Sequence, residues 1–144
     1  YISFENDYHE ALIYSKSLHE LYPDNVLYQA LYIKNLLLLK NYDEAEKLII
    51  TSPDEEGNSY FQAQLSIFKG ILQEKKYFNN KLAQQYYEKG ISDISNFDGF
   101  GNEYSAYAYY GLSRISVANG DKHSSKIYRK KAIEMADFKT INFD

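Results

Sequence analysis

A 34-residue repeat constrains the fold of this chain more than any other feature of the sequence. Three residues of the first turn and helix recur 34 positions later with their order and spacing unchanged, as Tyr8/Tyr42, Glu10/Glu44 and Ala11/Ala45. A repeat of this period that combines a polar turn, a tyrosine, an acidic residue and a small residue is typical of helix-turn-helix arrays. The sequence therefore predicts an all-α chain of stacked antiparallel helix hairpins.

Apolar residues at helical spacing, separated by turn residues, predict seven helices. The predicted helices span residues 7–22, 26–39, 42–51, 60–75, 80–91, 103–118 and 122–136. Pro23-Asp24-Asn25 ends the first helix, because proline cannot continue a helix and Asp or Asn can cap the next one. Asn41, with Glu44 three residues later, predicts a capping box, and Asp121 after Asn119-Gly120 predicts a cap for the last helix.

Small residues set the register of the later repeats. Ala45, Ala83 and Ser125 occupy equivalent positions at offsets of 38 and then 42 residues. Four extra residues make about one helical turn, so a longer first helix absorbs them without changing the packing face. The predicted repeats span residues 26–52, 60–91 and 103–138 within a single domain, 1–144. The helix in residues 1–25 is predicted to be the second half of a truncated repeat, so we expect the sequence to be a fragment of a longer chain.

On these residues the chain resembles the tetratricopeptide repeat family. The resemblance covers essentially the whole chain, about three and a half degenerate repeats, and its other carriers are Pro23, Tyr109, Leu112, Gly120, Tyr128 and Ala132. The chain departs from the family pattern in three respects. It has no tryptophan, it has Ile33 where a small residue is usual, and it has Ser52 in place of alanine. The resemblance implies a right-handed superhelical stack, an α-solenoid, whose first helices line a concave groove for peptides or extended protein segments.

Carrying the groove positions over gives one row of residues for each complete repeat. Besides Leu27 and Ala30, the resulting set, hereafter the predicted groove residues, comprises Lys34, Phe61, Gln64, Phe68, Tyr107, Tyr110 and Arg114. One interpretation is a groove whose aromatic rings hold apolar side chains while Lys34 and Arg114 meet carboxylates. The alternative is ordinary packing between repeats with two exposed cations, because aromatic stripes on helices are most often core.

Composition and charge limit the other classes of function. The chain has a net charge of −4, which disfavours a general nucleic-acid binder. It has no cysteine, so disulfides and thiolate chemistry are excluded, while cytoplasm and periplasm both remain open. The longest apolar run, 36–39, is far too short to span a membrane.

Motifs for metals, phosphates and catalysis are weak. His9, His19 and His123 are predicted to be surface residues, and the loop 92–102 fails both the calcium-loop and the phosphate-loop templates. Phe100 in that loop is a possible contact residue. The basic set on the last helix, interpreted as a solvated face, comprises Lys122, Lys126, Arg129, Lys130 and Lys131. The sequence predicts no cofactor, no metal and no catalytic residues.

These observations predict a non-enzymatic protein-protein interaction module that binds a peptide or a partner protein in the groove. Two alternatives stay open. The first is a regulatory or sensor domain that controls an upstream effector domain. The second is a structural segment that self-associates through an apolar patch on the last helix pair, with Tyr104, Tyr109, Ile127 and Tyr128 as candidates.

Overall fold

The computed structural model describes residues 4–52, 59–95, 97, 102–136 and 143. Within these residues all regular structure is α-helical, which confirms the predicted all-α class. The helices are α1 (Phe4–Leu21), α2 (Val26–Leu38), α3 (Tyr42–Thr51), α4 (Ser59–Lys75), α5 (Asn80–Ile94), α6 (Asn102–Ala118) and α7 (Lys122–Met135). In the described part of the chain, no helix is both long enough and apolar enough to cross a membrane.

The predicted bounds agree with these helices except at a few ends. The first helix begins at Phe4, three residues before the prediction. Helix α5 continues to Ile94 and not to 91, because Ile94 adds a fully buried apolar side chain to the turn that follows Gly90. The chain divides into two compact units, residues 1–55 and 56–144.

Unit 1 contains α1, α2 and α3, which are joined by side-chain amides. The amide nitrogen of Asn35 donates to the Ala11 carbonyl at 3.2 Å and to the Ser15 hydroxyl at 3.1 Å, joining α2 to α1. Gln29 donates to the Ser52 hydroxyl at 2.7 Å at the end of α3. Successive helices in the unit run antiparallel, and Ile33, Leu36 and Leu37 on α2 form its apolar interior.

Unit 2 contains two antiparallel hairpins. In the first, residues late in α4 meet residues early in α5: Tyr87 lies against Gly70 and Glu74, whereas Gly90 lies against Ile67 and Ala63. In the second, α6 and α7 pair in the same way. The contacts between them are Ser113 with Ser125, Tyr109 with Tyr128, and Ala106 and Tyr110 with Ala132.

Helices α4 and α6, the first helices of the two hairpins, lie side by side and run in the same direction. Tyr104 near the start of α6 meets Tyr60 and Phe68 of α4, while Arg114 near its end meets Glu74 near the end of α4. The aromatic residues therefore lie along this contact at one end, and an ion pair lies at the other.

A residue with positive φ closes three of the hairpins, one in unit 1 and two in unit 2, although the α4–α5 turn is one residue longer than the other two. Lys40, Phe78 and Gly120 have φ of 62°, 54° and 79°, and each directly precedes an Asn or Asp that begins the next helix. These residues are separated by the offsets of 38 and 42 that were predicted from the small residues. Ala45, Ala83 and Ser125 are all buried, so the repeat register extends to the backbone.

Most of the predicted helix caps form. Asn25 accepts from the Tyr28 amide at 3.2 Å and Asp121 from the Ser124 amide at 3.0 Å. Asn79 caps α5 in the same way. The capping box predicted at Asn41 is wrong, since the Asn41 side chain makes no capping bond to α3. Its backbone amide donates to the Leu36 carbonyl at 2.8 Å, as the Asp121 amide donates to the Ser116 carbonyl at 2.8 Å.

Candidate binding surface

The predicted groove residues fall in both units. Lys34 lies half-buried on α2 of unit 1, and the others lie on α4 and α6 of unit 2. On α4, Phe61, Gln64 and Phe68 are 1%, 4% and 0% exposed. On α6, Tyr107 and Tyr110 are 0% and 7% exposed. These five side chains lie in the interior, as the packing alternative expects.

The aromatic side chains of unit 2 form a continuous chain of ring contacts. Tyr104 occupies its middle, with ring centroids 5.7 Å from Phe68, 6.4 Å from Tyr60 and 5.4 Å from Tyr107. All three contacts are edge-to-face, the geometry that places the positive edge of one ring on the negative face of another. Of the predicted groove residues, Phe68 and Tyr107 belong to this aromatic layer, whereas Tyr110 packs with Ala106 and Ala132.

Phe143 extends this aromatic layer from outside the helices. Its ring lies edge-on against Tyr107, with centroids 4.9 Å apart and planes at 85°, and the residue is 6% exposed. The Tyr107 hydroxyl donates to the carboxylate of Glu103, one helical turn earlier, which fixes the orientation of the Tyr107 ring. A residue predicted to line the groove is thus covered by an aromatic side chain 36 positions later in the chain.

Arg114 is engaged within unit 2. Its guanidinium donates to both carboxylate oxygens of Glu74, Nε to Oε2 at 2.7 Å and NH2 to Oε1 at 2.9 Å. The side chains are only 17% and 8% exposed, so this pair is largely withdrawn from water. Such a bidentate pair is geometrically specific, and removing either partner leaves a buried charge. A charge reversal at Arg114 would place a second carboxylate beside Glu74 and destabilise the fold. A loss of binding in such a variant would therefore not show that Arg114 contacts a ligand.

Tyr87 links the ion pair to the helix packing. Its hydroxyl donates to Oε1 of Glu74 at 2.7 Å, and its ring fills the space above two glycines, Gly70 and Gly111. A Cβ atom at Gly111 would lie 2.4 Å from the Tyr87 ring, and one at Gly70 would lie 2.7 Å from it. Burial, followed by the nearby Glu74 carboxylate, raises the pKa of Tyr87 well above its ordinary value.

Sequence reasoning missed Glu74 and Tyr87. The signal that could have found them is the pair of glycines inside predicted helices, since a glycine there costs helix stability and usually reflects close packing. Which large side chain fills the space could not be deduced, because Gly70, Tyr87 and Gly111 belong to three different helices.

The other surfaces considered from sequence carry little chemistry. The five basic residues of α7 are all exposed, and the Lys131 ammonium lies over the Tyr109 ring at 5.7 Å. In the described residues, no group of histidine and acidic side chains could hold a metal ion. Phe100 lies outside the described residues.

The described residues line a cavity in each unit. The cavity in unit 1 has a volume of about 390 Å³ and is lined by His19, Pro23, Asp24, Val26, Gln29, Leu48 and Thr51. Among the residues that the structure describes, none hydrogen-bonds the buried His19 Nδ1, and the His19 ring lies 5.6 Å from that of Tyr32. The cavity in unit 2 is smaller, about 180 Å³, and lies beside the α6–α7 turn near Asn119 and Asp121.

Comparison of the chain with family models, with curated proteins and with solved structures finds no match.

Proposed function

We propose that this chain is a non-enzymatic protein-interaction module of tetratricopeptide-like helical repeats. In this proposal an extended peptide segment binds along α4 and α6, the first helices of unit 2. The observation that carries it is the contact between Phe143 and Tyr107, because a side chain from outside the hairpins is seated on a residue of the predicted groove. Recognition of this kind uses aromatic anchors in pockets formed by neighbouring helices.

The repeat arrangement supports the same proposal. Two hairpins whose first helices run parallel are the unit from which helical solenoids build extended concave surfaces. The charged groups of this region favour binding over catalysis, because Glu74 and Arg114 neutralise each other in a fixed bidentate pair. A general acid or base would need a titratable group directed at a substrate.

Self-association is the second candidate, and the surface of α1 favours it. Ile13, Tyr14 and Leu21 are 67%, 75% and 71% exposed, and large exposed apolar patches mark interaction sites. Of the patch expected on the last helix pair, Ile127 is exposed, whereas Tyr104 is buried and Tyr109 stacks on Tyr128. Sedimentation velocity of the chain and of a Tyr14→Glu variant tests this candidate.

The test of the interaction module is selection of a displayed library of random nine-residue peptides on the 144-residue chain. Affinities of the selected peptides are then measured for the chain, for Tyr107→Leu and for Tyr128→Leu, a matched control on α7. We expect Tyr107→Leu to weaken binding at least about tenfold and Tyr128→Leu to leave it unchanged, with circular dichroism confirming both folds. No enriched peptide, or equal effects of the two substitutions, would contradict the proposal.

A further inference from the structure

We infer that the surface around Tyr107 is a binding site for an aromatic side chain, which Phe143 fills from within the chain and a partner's phenylalanine or tyrosine fills in its place. This inference rests on the proposed function and makes it specific. It assigns a class of ligand, an extended segment bearing a phenyl ring, and an internal competitor for that ligand.

The site is built before any ligand arrives. The Tyr107 ring is held on one side by Tyr104, whose centroid is 5.4 Å away, and at its hydroxyl by Glu103. Both partners belong to α6 itself, so the ring keeps its orientation whether or not Phe143 is in contact. A preorganised apolar surface loses little entropy when it binds a rigid ring.

The ring of Phe143 shows which ligand the site accepts. Phe143 lies eight positions beyond Met135, the last residue of α7, and is not part of a helix. It is nevertheless 6% exposed and meets Tyr107 edge-to-face. The surface around Tyr107 thus accommodates a flat apolar ring that comes from outside the hairpins, which is how a peptide would present an aromatic anchor.

The contact with Phe143 is separate from the contacts that hold the hairpin together. Helix α6 packs on α7 through Ala106 and Tyr110, which meet Ala132. Tyr107 adjoins Ala106 in sequence, and adjacent helical residues point about 100° apart. Phe143 can therefore leave Tyr107 without separating α6 from α7, so exchange with a partner needs no unfolding of the pair.

A tethered side chain competes as though it were present at high concentration. Short tethers give effective concentrations in the millimolar range, so even a weak internal contact reduces the apparent affinity of an external ligand. For an internal segment with an intrinsic dissociation constant near 0.1 mM, the reduction is about tenfold. Removing the Phe143 ring should release that penalty.

The first experiment uses a fluorescently labelled peptide with the sequence of residues 139–144, in which Phe143 is the single aromatic residue, and the same peptide with alanine at that position. Binding is measured by anisotropy to the 144-residue chain and to its Phe143→Ala variant. We expect the phenylalanine peptide to bind Phe143→Ala about tenfold more tightly than the unaltered chain, and the alanine peptide to bind both forms much more weakly. Equal affinity for the two forms, or no binding to Phe143→Ala, would overturn the inference.

A second measurement uses the absence of tryptophan from the sequence. Phe143→Trp introduces a single reporter, and Phe78→Trp, at a position that is 82% exposed, serves as its control. We expect acrylamide to quench the reporter at 143 several-fold less than the one at 78, and peptides from the display library to remove that protection. Equal quenching at the two positions overturns the inference even if library peptides bind, whereas a protected reporter with no selected peptide counts against the proposed function alone.

Discussion

Both units close hairpins with a residue of positive φ, but they join their helices by different chemistry. In unit 1, α2 is joined to its neighbours by the neutral amides of Asn35 and Gln29. In unit 2, a tyrosine ring fills the space above Gly70 and Gly111, and its hydroxyl is bonded to the buried Glu74–Arg114 pair. Arg114, which holds the sequence position that matches Lys34, is bonded to Glu74, a residue 40 positions away.

This difference shows which parts of a degenerate repeat are interchangeable. The turn residue with positive φ and the small residue of the second helix recur at Lys40/Ala45, Phe78/Ala83 and Gly120/Ser125. The groups that bridge helices do not recur, so they can differ in chemistry as long as each polar atom is paired. The expectations below follow from that contrast.

Alkaline pH should separate the two units most strongly. Burial is the main cause that raises the pKa of both Tyr87 and Tyr104 in unit 2. Above the ordinary tyrosine pKa near 10, the unfolded chain loses the phenol proton while a folded chain with a raised pKa keeps it. The free energy of unfolding is therefore at its full value below pH 10 and falls as the pH rises above it. Between the ordinary pKa and the folded-state pKa, each such tyrosine lowers the free energy of unfolding by about 1.4 kcal/mol per pH unit.

The measurement is urea unfolding at pH 9, 10 and 11. The fluorescence of a tryptophan introduced by Tyr22→Trp reports on unit 1, and that of a tryptophan introduced by Phe97→Trp reports on unit 2. We expect the unit 2 reporter to lose stability much faster, although burial also raises the pKa of Tyr32 in unit 1. Tyr87→Phe should reduce the pH slope of unit 2. Equal slopes at the two reporters would show that Tyr87 and Tyr104 do not dominate.

Truncation of the two matching cations should have unequal effects. Arg114→Met leaves the Glu74 carboxylate buried without its guanidinium and should lower the free energy of unfolding of unit 2 by about 3 kcal/mol. Lys34→Met, at a half-buried position, should change unit 1 by less than about 1 kcal/mol. Urea unfolding with the same reporters measures both, and similar losses would remove the distinction between the units.

Adding one methyl group at Gly111 tests the packing of Tyr87. In Gly111→Ala the new Cβ would lie 2.4 Å from the Tyr87 ring, so the ring or the helices must shift. We expect a net loss of about 2 kcal/mol, since overpacking outweighs the gain in helix propensity. Combining it with Tyr87→Leu should recover part of the loss, and additive effects of the two changes would argue against this contact.

The smallest expected effects on stability concern the turn residues with positive φ, Lys40, Phe78 and Gly120. Phe78→Gly and Lys40→Gly relieve a left-handed backbone conformation and should each stabilise their own unit by roughly 1 kcal/mol. Gly120→Ala should destabilise unit 2 by a similar amount. If the two glycine substitutions changed stability in opposite directions, the turns could not be treated as equivalent.

Much of the fold follows from local sequence signals. Pro23, Asn25 and Asp121 placed helix ends, because proline and side-chain oxygens act within a few residues of themselves. The capping bond predicted at Asn41 was wrong, although the backbone turn there closes with the same bond as at Asp121, whose side chain does cap its helix. The aromatic rows on α4 and α6 were identified, but the sequence did not indicate that Phe143, 36 positions after Tyr107, packs against its ring. The Glu74–Arg114 pair joins residues 40 positions apart, and no local pattern specifies such a contact.

The most direct test of the proposed binding surface is a chemical-shift map of the isotopically labelled Phe143→Ala chain, titrated with a peptide selected from the display library. We predict that the largest changes fall on Tyr104 and Tyr107 of α6 and on Tyr60 of α4, with the outer faces of α5 and α7 unaffected. Changes confined to α5, α7 or unit 1 would contradict a binding surface on the first helices of unit 2.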